Sequence, residues 1–163
     1  MITQKRIMEF VSYDSITGIF YWMADCPSKK MRGKVAGTIK DDGYVCIVIC
    51  GIKYRAHRLA WFYSHGLWPP KDIDHINGVR NDNRLINLRE ATKSQNSHNS
   101  KKPLNNASGF KGVHWHKHHK KWCSGIQVNG VKKHLGSFET PEEAHEAYKN
   151  ASNKYHGSYA NHG

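Results

Sequence analysis

Residues 72–98, DIDHINGVRNDNRLINLREATKSQNSH, decide how the central part of this chain folds. The segment opens with a short apolar strand, Ile73 to Ile76, which the pair Asp74-His75 interrupts. Apolar residues on either side of two polar ones place the pair near the end of the strand. A carboxylate and an imidazole are therefore presented side by side.

The rest of the segment predicts the elements that surround this pair. Asn77-Gly78 has the composition of a tight hairpin turn, and a polar loop should run from there to Asn87. Thr92 and Gln95 have the spacing of a capping box, so a helix should begin at Thr92 and carry Asn96 in its first turn. The predicted order is strand, hairpin turn, loop and helix.

These residue types suit the hydrolysis of a phosphodiester. The imidazole of His75 titrates near neutral pH and can act as a general base on water. The Asp74 carboxylate and the Asn96 amide supply hard oxygen atoms, which suit one divalent cation, Mg²⁺ or Mn²⁺. Asn87 could hold the loop and orient the imidazole by a side-chain hydrogen bond. Each residue alone is more often a turn or surface feature, and it is the combination at this spacing that favours a catalytic site.

The charge of the chain points to a polyanionic partner. Its 163 residues have a formal net charge of +12, and the stretch from Ala91 to Phe138 contains nine lysines, six histidines and no acidic residue. Such a stretch repels itself unless a polyanion such as nucleic acid neutralises it. A solvated basic face is the alternative, but the aromatic residues Phe110, Trp115 and Trp122 among the lysines favour nucleic acid.

The cysteines and the hydropathy bound the class of protein further. None of Cys26, Cys46, Cys50 and Cys123 has the spacing of a zinc site. No apolar run approaches the roughly 20 residues of a membrane span, and nothing resembles a secretory signal. We therefore expect a reduced, cytoplasmic protein without a membrane partner.

The remaining sequence divides into an α+β N-terminal part and a separate C-terminal part. Before the central segment we predict a helix at 3–11, a strand at 18–22, a strand pair within 41–54 and a helix at 55–65. Residues 99–107 are polar, contain proline and read as a linker. Beyond it, 109–115, 121–128 and 132–138 alternate like three strands of an antiparallel sheet. A capped, apolar-striped helix then begins at Thr140 and ends at Gly157.

Residues 55–98, RAHRLAWFYSHGLWPPKDIDHINGVRNDNRLINLREATKSQNSH, resemble the HNH endonuclease family and its ββα-metal core. More narrowly, they resemble the phage and intron HNH homing endonucleases. The resemblance implies that Asp74 and Asn96 bind one divalent metal, that His75 is the general base and that Asn87 is the structural position of the motif. His57, in the stretch AHRL, would pack or contact phosphate.

The third motif position departs from many relatives, which have histidine where this chain has Asn96. Asparagine is the form that is seen in the homing-type branch, so metal binding should survive, with harder oxygen ligation and less affinity for zinc. His98 lies two residues further along and is the alternative ligand. On a helix it would face away from Asn96.

Residues 108–161 resemble the AP2/ERF domain, in which a three-stranded antiparallel sheet packs on one helix and lies in the major groove. The pieces GV, KW, LGSF and TPEEA followed by AY stand in the order of that family. By position, seven side chains are expected to contact DNA: Lys111, His114, His116, Trp122, Gln127, Lys132 and His134. Trp122 could instead be a core residue. No arginine follows Arg89, so tight guanine reading is not expected.

Together these features predict a two-part DNA endonuclease that is a monomer or a weak homodimer. Residues 1–98 form the nuclease domain with its core at 55–98, 99–107 the linker and 108–163 an AP2-like DNA-binding domain. The family implies a phage origin and action in the cytoplasm of a bacterial host. Two alternatives remain: a non-catalytic DNA-binding regulator that keeps the HNH segment as scaffold, and a nuclease that acts on RNA.

Overall fold

The computed structural model describes residues 2–23, 29–100, 102 and 106–163. The chain divides into two compact units, Met1–Ala91 and Thr92–Gly163. None of the described helices is both long enough and apolar enough to cross a lipid bilayer.

Among its described residues, the N-terminal unit contains two α-helices and three small antiparallel sheets. Its helices are α1 (Gln4–Phe10) and α2 (Ala56–His65). In chain order the strands are β1 (Val11–Asp14), β2 (Ile19–Trp22), β3 (Thr38–Ile39), β4 (Val45–Ile49), β5 (Ile52–Arg55), β6 (Asp72–His75) and β7 (Leu88–Ala91). The first sheet pairs β1 with β2, and the second has three strands in the order β3-β4-β5. The third sheet pairs β6 with β7 and carries the candidate site.

An apolar core holds these small sheets against the helices. Ile7, Val11, Phe20, Ile47 and Leu59 come from α1, β1, β2, β4 and α2 in turn, and all five are almost completely buried. Because no single sheet is wide enough to form a core alone, each contributes two or three buried residues to this shared cluster.

The strand pair β6–β7 differs from the predicted hairpin. β6 was expected, but its partner β7 was not, and the two are joined by residues 76–87. Asn77-Gly78 does form a turn, in which the Gly78 amide donates to the His75 carbonyl, but this turn lies inside the longer connection. Asp74 is directly opposite Arg89 in the register.

The C-terminal unit has the predicted three strands and long helix. β8 (Val113–His116), β9 (Lys121–Val128) and β10 (Val131–Phe138) form one antiparallel sheet with β9 in the centre, and α4 (Pro141–His156) packs on one face. The capping box of Thr140 and Glu143 at the start of α4 is confirmed. Ile126 packs against Tyr148 and Ala151 in a small core.

A short helix, α3 (Lys93–His98), precedes this sheet and belongs to the same unit. The Lys111 ammonium donates to the carbonyls of His98 (2.8 Å) and Ser100 (2.5 Å). Asn161 donates to the Asn99 carbonyl (2.9 Å). These bonds tie the end of α3 to the C-terminal unit, so the division falls before α3, whereas the boundary predicted from sequence follows it. Of the predicted linker 99–107, residues 101 and 103–105 lie outside the described residues.

Replacing Gly112 with Ala should destabilise the C-terminal unit by about 3 kcal/mol, because an added methyl group overpacks a filled core. Gly112 has φ +77°, and a Cβ there would overlap the ring of Tyr148. Gly130→Ala is the matched control, since its φ is +81° but a Cβ added there would have nothing within 4 Å. Urea unfolding of the control should show a loss of stability of about 1 kcal/mol, from backbone strain alone. Equal losses in the two variants would contradict the packing account.

Candidate active site

Asp74 and His75 end β6, and both side chains are buried. They are 5% and 4% exposed. Polar groups are buried at this depth only when partners satisfy them. Their partners therefore define what the pair can do.

Arg89 is the charged partner of Asp74. Its Nε and Nη2 donate to Asp74 Oδ2 over 2.9 and 2.8 Å across the β6–β7 pair. The side chain of Arg89 is 15% exposed, so the ion pair is largely shielded from water. Two hydrogen bonds from one guanidinium hold the carboxylate in one orientation.

Three side chains surround the imidazole of His75. Asn83 Oδ1 lies 3.3 Å from His75 Nε2. The ring of His57 lies 5.0 Å away in an edge-to-face arrangement, and the ring of Tyr44 lies 5.9 Å away. Burial lowers the pKa of His75, against the opposing effects of Asn83 and nearby acids. A lowered pKa leaves the imidazole neutral at neutral pH, which a general base requires.

Asn87 holds the loop between β6 and β7. Its Oδ1 accepts from the Asn77 amide at 3.0 Å, and its Nδ2 donates to the Asn77 side chain at 3.0 Å and to the Asp82 carbonyl at 2.8 Å. These contacts match the loop-holding part of the predicted role. The orienting part of that role stays a prediction, and the structure also places Asn83 Oδ1 within hydrogen-bond distance of the imidazole.

His57 packs among aromatic rings rather than lying open to phosphate. It is 8% exposed and contacts Tyr44, with ring centroids 5.1 Å apart, as well as His75. Among the described residues its Nδ1 has no hydrogen-bond partner. Burial lowers the pKa of His57 to about 3, and the neighbouring His75, Arg58 and Arg55 contribute. Of the two predicted roles, these contacts favour packing.

His57 should make the N-terminal unit sensitive to acid. Below pH 6.5 the unfolded imidazole takes up a proton, whereas the folded one stays neutral down to about pH 3. The free energy of unfolding therefore decreases as the pH is lowered through this window, by about 2 kcal/mol between pH 7 and pH 5. Urea unfolding of His57→Phe should show this part of the pH dependence removed. An unchanged dependence would rule out His57 as its source.

Asn96 lies in α3, in the C-terminal unit. The capping box of Thr92 and Gln95 that was predicted for this helix is present. Asn96 is half-buried. The alternative ligand, His98, stacks on His156 with ring centroids 3.6 Å apart, and its Nε2 lies 3.3 Å from the Ser94 hydroxyl. These contacts occupy the His98 ring, so Asn96 remains the better candidate.

The donor chemistry fits a hard divalent cation. Asp74 offers a carboxylate oxygen and Asn96, in the other unit, offers an amide oxygen. Among the residues that the structure describes, no cluster of three histidine, cysteine or acidic side chains could hold a metal. A metal here would therefore need amide, substrate or water oxygens in addition to Asp74.

The predicted DNA-contacting residues divide between the two faces of the C-terminal sheet. Strand register places five on the face opposite α4, which we call the open face: His114, His116, Gln127, Lys132 and His134. Trp122 is on the other face, paired with Trp115 and in line with Ile126, which packs on α4. Its predicted place among the DNA-contacting residues is therefore corrected.

Lys111 is the other correction. Its ammonium is bound to the carbonyls at the end of α3, and burial lowers the pKa of Lys111 to about 8. A lysine that caps a helix end in this way is committed to the fold, so we leave it out of the proposed DNA-contacting set.

Sequence reasoning missed Arg89, Asn83 and Tyr44 as parts of the site. Arg89 could have been identified only if strand β7 had been predicted, because the register of β7 places it opposite Asp74. Asn83 lies in a polar loop, and nothing in the local pattern distinguishes it from Asn81. Tyr44 lies in the connection between β3 and β4, far from His75 in the sequence, so only the folded chain brings the two rings together.

Comparisons with known proteins relate this chain to a nuclease family and to a phage protein. Residues 54–98 match the family model described as HNH endonuclease. Protein 3.8 of Escherichia phage T7 is 33% identical over 107 residues, which are 65% of this chain and 88% of that protein. The solved structure of the HNH homing endonuclease I-HmuI aligns with a TM-score of 0.42 at 20% identity, over 90% of this chain and 84% of that one.

The buried Asp74-His75 pair thus lies inside an HNH endonuclease domain. The chain belongs to the same family as protein 3.8 of Escherichia phage T7.

Proposed function

We propose that this chain is a metal-dependent DNA endonuclease of the HNH homing type, anchored on duplex DNA by an AP2-like C-terminal unit. The observation that carries the proposal is the buried Asp74-His75 pair, in which the carboxylate is held by Arg89 and the imidazole is kept neutral by burial. An oxygen ligand for a cation and a neutral base at consecutive positions suit phosphodiester hydrolysis.

His75 is the general base in this proposal. It accepts a proton from the water that attacks the scissile phosphorus, and the 3′ oxygen leaves, so that the products carry 5′-phosphate and 3′-hydroxyl ends. Asp74 and Asn96 are the ligands of one divalent cation, Mg²⁺ or Mn²⁺. When bound, such a cation supplies positive charge for the negative charge that develops on the phosphate. Asn87 keeps the loop beside the base in place.

The C-terminal unit supplies the surface that holds DNA. Its open face presents Lys132, Gln127 and His134 together, and Lys132 and Gln127 are direct neighbours across the strand pair. Lysine and glutamine side chains can contact phosphates and base edges. With one active site per chain, a monomer cuts one strand and a weak homodimer could cut both. The phage relative supports action in the cytoplasm of a bacterial host.

The proposal is tested by incubating the full chain with supercoiled plasmid and with phage genomic DNA in Mg²⁺, Mn²⁺ or EDTA. Nicked or linear product that requires the cation supports the endonuclease, and an RNA competitor of equal length tests the RNA alternative. Salt-sensitive binding without cleavage of any DNA would instead favour a non-catalytic regulator.

Replacing Lys132 with Ala should reduce the salt dependence of DNA binding by about one unit in the slope of log K against log salt concentration. Lys133→Ala is the matched control, because this neighbour lies on the face that bears α4, with its ammonium 4.9 Å from the centre of the Tyr155 ring. Fluorescence anisotropy between 50 and about 200 mM salt measures both slopes. Equal slopes for the two variants would remove the open face as the DNA surface.

A further inference from the structure

We propose that Asn83 is the positioning residue of the base His75, and that the β1–β2 hairpin exists in part to hold Asn83 in place. The inference rests on the proposed function of His75. It assigns a role to residues 11–22, which lie outside the segment that matches the HNH family model.

The hydrogen bonds of Asn83 orient its amide. The side chain is 2% exposed. Its Nδ2 donates to the Asn81 carbonyl at 3.3 Å, so its Oδ1 is the atom turned to His75 Nε2 at 3.3 Å. An amide oxygen only accepts, so Nε2 must carry the hydrogen of the neutral ring. The lone pair that takes a proton from water is then on Nδ1.

The backbone of Asn83 is held by Tyr13 of β1. The Tyr13 hydroxyl donates to the Asn83 carbonyl at 2.7 Å. Burial, with help from Asp14 and Asp82, raises the pKa of Tyr13 above its ordinary value. The hydroxyl therefore remains a donor throughout the working range of pH, and the contact does not depend on conditions.

The turn of the hairpin closes on the same segment. Gly18 has φ +74°, and a Cβ there would lie 2.6 Å from the Asn83 carbonyl carbon and collide with the Arg84 nitrogen. The Leu85 amide donates to the Ser15 carbonyl at 3.2 Å. Backbone lies directly on backbone here, so neither segment can shift without the other.

An asparagine that only stabilised the loop would also be buried. Such a role would not require its side-chain oxygen to face the imidazole of His75. Asn87 already holds this loop through Asn77 and Asp82. Asn83 adds the contact to the imidazole and the anchorage to the hairpin. The base is thus oriented through an amide that a separate sheet holds rigid.

The first test reads the hydrogen position on His75 directly. Nitrogen-15 NMR of the full chain at about pH 8, above the ordinary histidine pKa, distinguishes the Nε2–H from the Nδ1–H tautomer without metal or DNA. We expect the Nε2–H form in the wild type and in Asn83→Asp, which keeps an acceptor. A mixture is expected in Asn83→Leu. If Asn83→Leu showed the same proportions of the two His75 tautomers as the wild type, Asn83 would not be the residue that sets the tautomer.

The second test separates turnover from binding. Asn83→Leu should lower kcat about 10- to 100-fold with unchanged DNA affinity, as loss of an orienting partner does. Asn83→Asp should recover most of the rate, and Ile86→Ala, in the same loop but exposed, should match the wild type. Equal loss of rate in Asn83→Asp and Asn83→Leu would count against the positioning role.

The hairpin is tested by Tyr13→Phe, which removes only the hydroxyl bond to Asn83. Its kcat should fall about threefold to tenfold at constant DNA affinity. If Asn83→Leu does not fold, Tyr13→Phe still tests whether the position of Asn83 affects turnover. An unchanged kcat would overturn the role of the hairpin. If the wild type cuts no DNA, the proposed function fails, whereas the tautomer measurement still decides the role of Asn83.

Discussion

Replacing His75 with Ala should abolish DNA cleavage while DNA binding is retained. Loss of a general base lowers the rate about 10²- to 10⁴-fold, because a positioned side chain no longer takes the proton from water. The side chain is buried at the end of β6, and the proposed DNA-contacting residues belong to the other unit, so affinity should not change. Cleavage of supercoiled plasmid and anisotropy on the same DNA measure the two quantities.

His65→Ala is the matched control for this variant. His65 is in the same unit but exposed, and its ring stacks on Trp61 rather than on any residue of the site. We expect wild-type cleavage from the control. A His75→Ala protein that cuts at the wild-type rate would remove His75 as the base. Loss of cutting in both variants would point to a general loss of structure.

Replacing Arg89 with Leu should cost about 3–5 kcal/mol of stability in EDTA, because it leaves the buried Asp74 carboxylate without the cation that faces it. Adding Asp74→Leu to this variant should recover part of the loss, since the uncompensated charge is then gone. Urea unfolding of the two single variants, the double variant and the wild type completes the cycle. A loss under 1 kcal/mol in Arg89→Leu would show that the pair is not shielded as the structure has it.

The same variant tests Asp74 as a metal ligand. A divalent cation should restore stability to Arg89→Leu, by about 2.7 kcal/mol at a hundred times its Kd, because it replaces the missing positive charge. A monovalent salt at equal ionic strength is the control and should restore little. Absence of any recovery with Mg²⁺ or Mn²⁺ would argue against Asp74 as a ligand.

Local sequence patterns predicted most of the helices and strands. The capping boxes at Thr92 and Thr140 and the left-handed Gly66 after α2 set helix ends that the structure shows. These features depend on residues within one or two turns of each other, so a sequence window contains all the atoms that matter.

Non-local pairing explains the elements that were missed. β7 has no clean alternation, since Leu88 and Ala91 are its buried residues, and it is a strand because β6 pairs with it. Trp122 was predicted to lie on the same face as Gln127, although the two residues are five positions apart. An odd separation within one strand puts two side chains on opposite faces, and the register confirms this.

By itself the sequence determined the class of chemistry: an Asp-His pair with two following asparagines in an HNH segment, and a basic C-terminal half. Only the tertiary structure decided which groups control that pair, Arg89 on Asp74 and Asn83 on His75. Residue types that carry chemistry are visible in a linear pattern. The partners that set their charge, tautomer and orientation come from strand register and from a hairpin far away in the chain, and no local pattern encodes those distances.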